Sequence, residues 1–306
     1  MPAGVLQAVA APHHQGAPGL VPIVLLSIAS AASYGLAAVL QHRAAVVTAP
    51  ELSMRAGLLL QLARRPLWLL GNALDGVGYL FQFLALRRGA LALVEPLLVL
   101  SLVFALPFSA YLDHRRASSF EVVSTGVVAA GLALFLGVAR PGPGHPDASA
   151  QAWAVLTVVV VVGCAVAGLG TLLRTRRRAA LLLGTGSGLA FGYVAALTER
   201  TGHLLDNGVV HTLASWVPYA MVVAAVAALL LTQSAFKAGD LRLSLPTLTV
   251  AQPLVAVAIG LGVFGEKIDL RGLAPLGEGL GLVLVTLGVF ALGRSPVIGT
   301  GPAQMP

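Results

Sequence analysis

The sequence predicts an all-α membrane protein of about nine transmembrane helices, built as two inverted four-helix repeats joined by one connecting helix. Three observations lead there. Hydrophobic residues make up 57% of the 306 and charged residues only 10%, with a mean hydropathy of +0.89. Soluble domains carry about 25% charged residues, so the deficit exceeds what an ordinary core needs. Several apolar runs pass the roughly 18 residues that cross a bilayer. Finally, two stretches of the first half recur in the second.

Taken in order, residues 1–19 read as a disordered tail. The first span, 20–40, opens with LVPIVLLSIASA, and Ala29-Ser30-Ala31 resembles a signal-peptidase site. Residues 1–19 hold no Lys or Arg, so the charged start of a signal peptide is missing and the helix is expected to be retained. The segment 50–66, PELSMRAGLLLQLARRP, is too short and too basic to cross and reads as an interfacial amphipathic helix. Further spans follow at 66–86, 89–111, 121–139, 152–173, 180–198, 213–235, 241–264 and 272–293. PGPGHPDASAQ, 141–151, is a linker broken by Pro and Gly. The chain thus divides into a first repeat at 20–140, a linker and connecting helix at 141–179, a second repeat at 180–294, and a tail at 295–306.

The net charge of +7 has a membrane explanation. With the N-terminus outside, the inner loops hold thirteen Lys and Arg and the outer loops six. The positive-inside rule then sets the N-terminus outside and the C-terminus inside, in the cell membrane. No basic face with interleaved aromatics points to nucleic acid. The single cysteine, Cys164, can form neither an internal disulfide nor a metal cluster.

SYGLAAVLQHR, 33–43, aligns with AFGYVAALTER, 190–200, sharing Gly35/Gly192, Ala38/Ala195, Leu40/Leu197 and Arg43/Arg200. ALRRGALALVEPLL, 85–98, aligns with AFKAGDLRLSLPTL, 235–248, so that Pro96 meets Pro246 and Arg87 meets Lys237. Passing from one copy to the next crosses five spans, an odd number, so the second copy is inverted. Inverted repeats are a mark of secondary transporters, whose sites lie near the midplane between the repeats.

The hairpin ALRRGALALVEPLLVLSLVFALP, its partner QSAFKAGDLRLSLPTLTVAQPLVAVAIGLGVFGEKI and the helix GLGLVLVTLGVFAL resemble the drug/metabolite transporter superfamily, the EamA-like proteins, over about residues 20–294. Gly265-Glu266-Lys267 resembles that superfamily's helix ending, whereas Arg115-Arg116 stands at the equivalent place in the first repeat. Nine spans with a short second helix resemble the NIPA-like branch, whose eukaryotic members are described as magnesium transporters. The resemblance implies transport and leaves the substrate open.

Asp75 is the sharpest candidate. An acid at a helix centre costs roughly 2.5–3.5 kcal/mol on insertion scales. Asn72, Tyr79 and Gln82 share its face, a polar stripe through the second span. Such a stripe serves either as hydrogen-bonding glue between helices or, through the ionisable Asp75, as a cation or proton site. Glu95 precedes Pro96, which lacks an N–H and frees a carbonyl one turn earlier. It is either a site in a broken helix or a wet acid near the headgroups. Thr247 and Gln252 lie on the eighth span, broken by Pro246 and Pro253, and either line a pathway or satisfy freed carbonyls. Glu278 enters the ninth span, and Gln233 closes the seventh. Glu266 and Lys267 read as a loop pair or gate. Gly188-x3-Gly192 and Gly277-x3-Gly281 read as close helix packing. No pair of His spaced for zinc appears on one helix.

A secondary transporter of the drug/metabolite type, moving a small solute by alternating access at the repeat interface, is the expected function. One alternative is a magnesium transporter of the NIPA-like type, with Asp75 and Glu95 as metal ligands. A second is a non-transporting membrane scaffold. No enzyme constellation and no cofactor motif appears. The expected partners are the lipid bilayer and a small-molecule or cation substrate, with a homodimer allowed.

Overall fold

The computed structural model describes residues 20–46, 65–112, 114, 118–139, 144, 148–169, 175–238, 241–266 and 274–293. Among them there is no strand. Helix α1 spans Leu20–Val46, α2 Pro66–Leu86, α3 Leu91–Leu98, α4 Leu100–Leu112, α5 Ser119–Ala139 and α6 Ala150–Gly168. Helix α7 spans Arg176–Leu204 and runs into a 3-10 turn, Leu205–Asn207. The short α8, Val209–Ala214, precedes α9, Val217–Ala238, α10, Leu241–Gly262, and α11, Ala274–Gly293. Seven helices, counting α3 with α4 as one, are long and apolar enough to cross a membrane. Two shorter apolar stretches, Val217–Thr232 and Thr247–Gly262, accompany them. The expected tails and the segment 51–64 lie outside the described residues.

Local sequence sets the ends of these helices. Pro66 starts α2, where a missing N–H costs nothing. Ser149 caps α6, its hydroxyl accepting from the Ala152 N–H at 3.1 Å. Gly208, at φ +99°, closes the turn after α7. The third span is not the continuous helix expected from 89–111. It breaks at Val99, between α3 and α4, one turn after Pro96. Pro96 cannot donate to the Ala92 carbonyl, and the bonds Val99 N–H to Pro96 O and Leu102 N–H to Val99 O tighten to an i−3 pattern across the break.

The sixth span differs more. The sequence reading places its end at 198 and Arg200 in the loop beyond. Helix α7 instead continues to Leu204. Thr198 and Thr201 turn their hydroxyls onto the carbonyls of Val194 and Leu197, which lets polar residues stay helical inside the bundle. Glu199 and Arg200 are therefore helical residues rather than outer-loop residues.

Helix α7 is the centre of the bundle: 72% of its span is buried, against 22% for α6. Val158, Val159, Val161 and Val162 of α6 face outward, as lipid-facing side chains do. α7 packs most extensively on α9 and α10, α1 on α2 and α4, and α5 on α11. The glycine pairs pack as their spacing predicts. A Cβ on Gly188 would meet Ala251, and one on Gly192 would meet Val255 at 2.7 Å, so α7 and α10 approach closely only because both lack one.

Candidate functional site

The four helices α1, α2, α3 and α10 converge on one acid. Glu95 lies in α3, every residue of which is buried, and is itself 1% exposed. The Gln82 amide, from α2, donates to Glu95 Oε1 at 2.7 Å. The Gln252 amide, from α10, donates to Glu95 Oε2 at 3.0 Å. Gln82 Oε1 in turn accepts from the Tyr34 hydroxyl of α1 at 2.7 Å. Both carboxylate oxygens are thus held by neutral donors, one from each half of the chain. A carboxyl buried without such partners would cost several kcal/mol. A wet acid near the headgroups is excluded by this burial.

The polar stripe on α2 is divided. Gln82 joins Glu95. Tyr79 reaches across to α7, its hydroxyl 3.3 Å from Thr198 Oγ1 and 3.5 Å from the Met221 sulfur of α9. Asp75 is half-buried and engaged, within electrostatic reach of Tyr34, as Glu95 also is. Asn72 stands apart: it is exposed and donates to the Trp68 carbonyl of its own helix. Thr247 is half-buried and engaged. Glu278 is buried where α11 packs on α5, between Gly277 against Val138 and Gly281 against Phe135. The side chains of Gln233 and Pro246 lie outside the described residues. Pro96 and Pro253 are buried and line a small apolar cleft beside Glu95, with Val99, Leu132, Phe135 and Val250. Among the described residues no three His, Cys, Asp or Glu side chains gather as a metal site.

Two further acids were not singled out as site residues by the sequence. Glu266 follows α10, where Gly265 at φ +61° reverses the chain and the Glu266 N–H bonds the Gly260 carbonyl. Its carboxylate then accepts from the N–H groups of Leu91 at 2.6 Å and Ala92 at 2.9 Å. The first turn of α3 has no side-chain cap from Ala90, so Glu266 satisfies donors that the helix leaves open. The expectation of a loop pair with Lys267 is corrected to this extent: Glu266 binds the α3 N-terminus, and Lys267 lies outside the described residues. Burial pushes the Glu266 carboxyl up to about 7, against the two N–H bonds, which favour the charged form.

Glu199, on the extended end of α7, is 6% exposed and within electrostatic reach of both Glu266 and Glu95. Its Oε2 is buried with no hydrogen-bond partner. The signal in the sequence is the ER pair at 199–200, which aligns with the HR pair at 42–43.

No family model and no solved structure matches the chain. It is 32% identical over 282 residues to the "Uncharacterized protein Cgl0250/cg0304" of Corynebacterium glutamicum, a similarity covering 91% of this chain and 96% of the relative. The chain belongs to the family of that corynebacterial protein.

Proposed function

We propose that the chain is a secondary transporter of the drug/metabolite type, with Glu95 at the centre of its solute path. The observation that carries this reading is the fully buried Glu95 beside a Pro-broken helix, held by Gln82 of the first half and Gln252 of the second. A carboxylate at such a junction is useful where the two halves rock against each other around a fixed site.

Two inverted four-helix repeats within nine crossings underlie the reading. Two geometric correspondences support them. Ser30 donates to the Gly78 carbonyl, and Ser187 donates to the Ala228 carbonyl. These positions are 157 and 150 apart (187 − 30 and 228 − 78), the same offsets as the two sequence matches. Likewise Gly35 lies against Ser101 and Ala105, and Gly192 against Val255 and the Gln252 carbonyl. The excess of Lys and Arg on one side supports an outer N-terminus and an inner C-terminus in the cell membrane. Glu266 then closes the outer end of α3, and the apolar cleft lies on the inner side of Glu95.

In the magnesium form of this reading, Glu95 would exchange its amide donors for the ion, with Asp75 as a second ligand. The two forms separate in one experiment. Magnesium entry into proteoliposomes is followed together with internal pH, for wild type, Glu95→Gln and Asp75→Asn. Magnesium entry abolished by both substitutions supports the ion carrier. Absence of magnesium entry in a folded preparation removes it and leaves a small organic solute, to be found by thermal-shift screening against wild type and Glu95→Gln. A chain that carries nothing in either assay fits the scaffold instead.

A further inference from the structure

Glu95 is not the most exceptional acid in the bundle. Glu199 is only 6% exposed, and one of its oxygens meets no donor. Among the described residues, the groups that act on it electrostatically, Glu266 and Glu95, are both acids. Around this end stand Arg200 and His203 of α7, the Arg87–Asp206 ion pair, and Tyr79 of α2. Arg87 is committed to Asp206, and the two meet beside the 3-10 turn rather than at Glu199. Glu266 is spoken for as well, because its oxygens accept the α3 backbone.

Like charges in a low-dielectric interior repel strongly, so neighbouring buried carboxylates do not all ionise together. The one that takes a proton is the one whose charged form has the fewest donors. Each oxygen of Glu266 meets a backbone N–H and each oxygen of Glu95 an amide, while Glu199 Oε2 meets no donor. A metal ion is a poorer occupant, since no three ligating side chains gather there among the described residues.

We propose that Glu199 is a proton-binding site, opening toward the end of the bundle marked by Arg87 and Asp206. Binding adds one proton from bulk water to the Glu199 carboxylate and makes it a neutral carboxyl. Release returns that proton to the same face and restores the charge. The site gives the transporter reading, on which its biological use rests, a place where proton and solute movements are linked. Glu199 lies one residue after Thr198, which meets Tyr79 of α2, so a change of charge at Glu199 acts at a contact between the two halves.

Infrared difference titration of the purified full-length chain, read in the protonated-carboxyl stretch and without any substrate, tests the site directly. Glu199→Gln, an isostere of the protonated acid, is expected to lose one carboxyl component that titrates in wild type. Glu266→Gln loses its own component and moves the Glu199 component to lower pH, because a negative neighbour is removed. A carboxyl signal unchanged in Glu199→Gln overturns the proposal, as does a Glu199 component that Glu266→Gln leaves in place. Should Glu199→Gln fail to fold, the shift in Glu266→Gln decides alone. Transport plays no part in this readout. A lost component in a chain that carries nothing would retain the proton site and remove the transporter, and an intact component in an active carrier would do the reverse.

Discussion

Asp75 and Glu95 are both acids set in apolar helices, and the bundle treats them differently. Asp75 sits on a face of α2 where Asn72 and Tyr79 are exposed. Glu95 sits in a helix with no exposed residue at all, and two amides from different helices hold its oxygens. In the sequence Asp75 is the sharper candidate because it falls in the middle of its helix. Depth along one helix says how far an acid is from the headgroups. It says nothing of which side of the helix meets neighbours, and that side decides whether the acid is satisfied inside protein.

The largest expected effect breaks or confirms this contrast. Glu95→Ala leaves the buried Gln82 amide and the half-buried Gln252 amide without their acceptor, a loss of about 2–4 kcal/mol at roughly 1–3 kcal/mol for a buried unsatisfied group and less for a half-buried one. Asp75→Ala, at a half-exposed position, is expected to cost less than about 1 kcal/mol. Unfolding of both variants in detergent measures the two losses, and equal losses would erase the distinction.

A smaller effect concerns pH. The Glu266 carboxyl is raised to about 7 by burial, above its ordinary 4.5. An acid raised in the folded state binds its proton more tightly there than when unfolded. Its contribution to stability is therefore complete below about 4.5 and is lost as pH rises through about 7. Wild type should lose on the order of 2 kcal/mol between about pH 5 and about pH 8 through this group. Glu266→Gln keeps an oxygen for the α3 N–H groups and should flatten that slope. A melting temperature that falls equally with pH in both proteins would assign the slope to another group.

The smallest effect sharpens the contrast from the other side. Asn72→Leu removes an exposed amide that donates to the Trp68 carbonyl of its own helix. A change within about 0.5 kcal/mol is expected, and the same substitution at Gln82 should cost several times more. Similar values for the two would mean that the stripe on α2 acts as one unit.

Several local features were legible in the sequence because they depend on short stretches of chain. Pro66 to Leu86 reads as one helix from its apolar run and its starting proline, and α2 has those bounds. The glycine spacings on α7 and α11 announce close packing because only glycine removes the Cβ that would meet a neighbouring helix. The sequence pattern puts the end of α7 at 198, nearly two turns short of Leu204. Glu199, Arg200 and His203 look like interface residues when only their own polarity is counted. Hydrogen bonds from Thr198 and Thr201 to the helix's own carbonyls let it continue past them, with Glu199 buried and Arg200 and His203 half-buried. Glu266 was legible as a helix ending but not as a cap on α3, which lies 174 and 175 residues away at its two bonds.

Composition by itself determined that this chain is helical and apolar enough to span a membrane, because backbone groups in lipid must be satisfied within each segment. The same rule made most helix positions readable without reference to the rest of the molecule. Which polar groups meet was decided only by the tertiary structure. Gln82, Glu95 and Gln252 come from α2, α3 and α10, and the rotation of each helix about its axis, set by side-chain packing against its neighbours, is what aims them at one point.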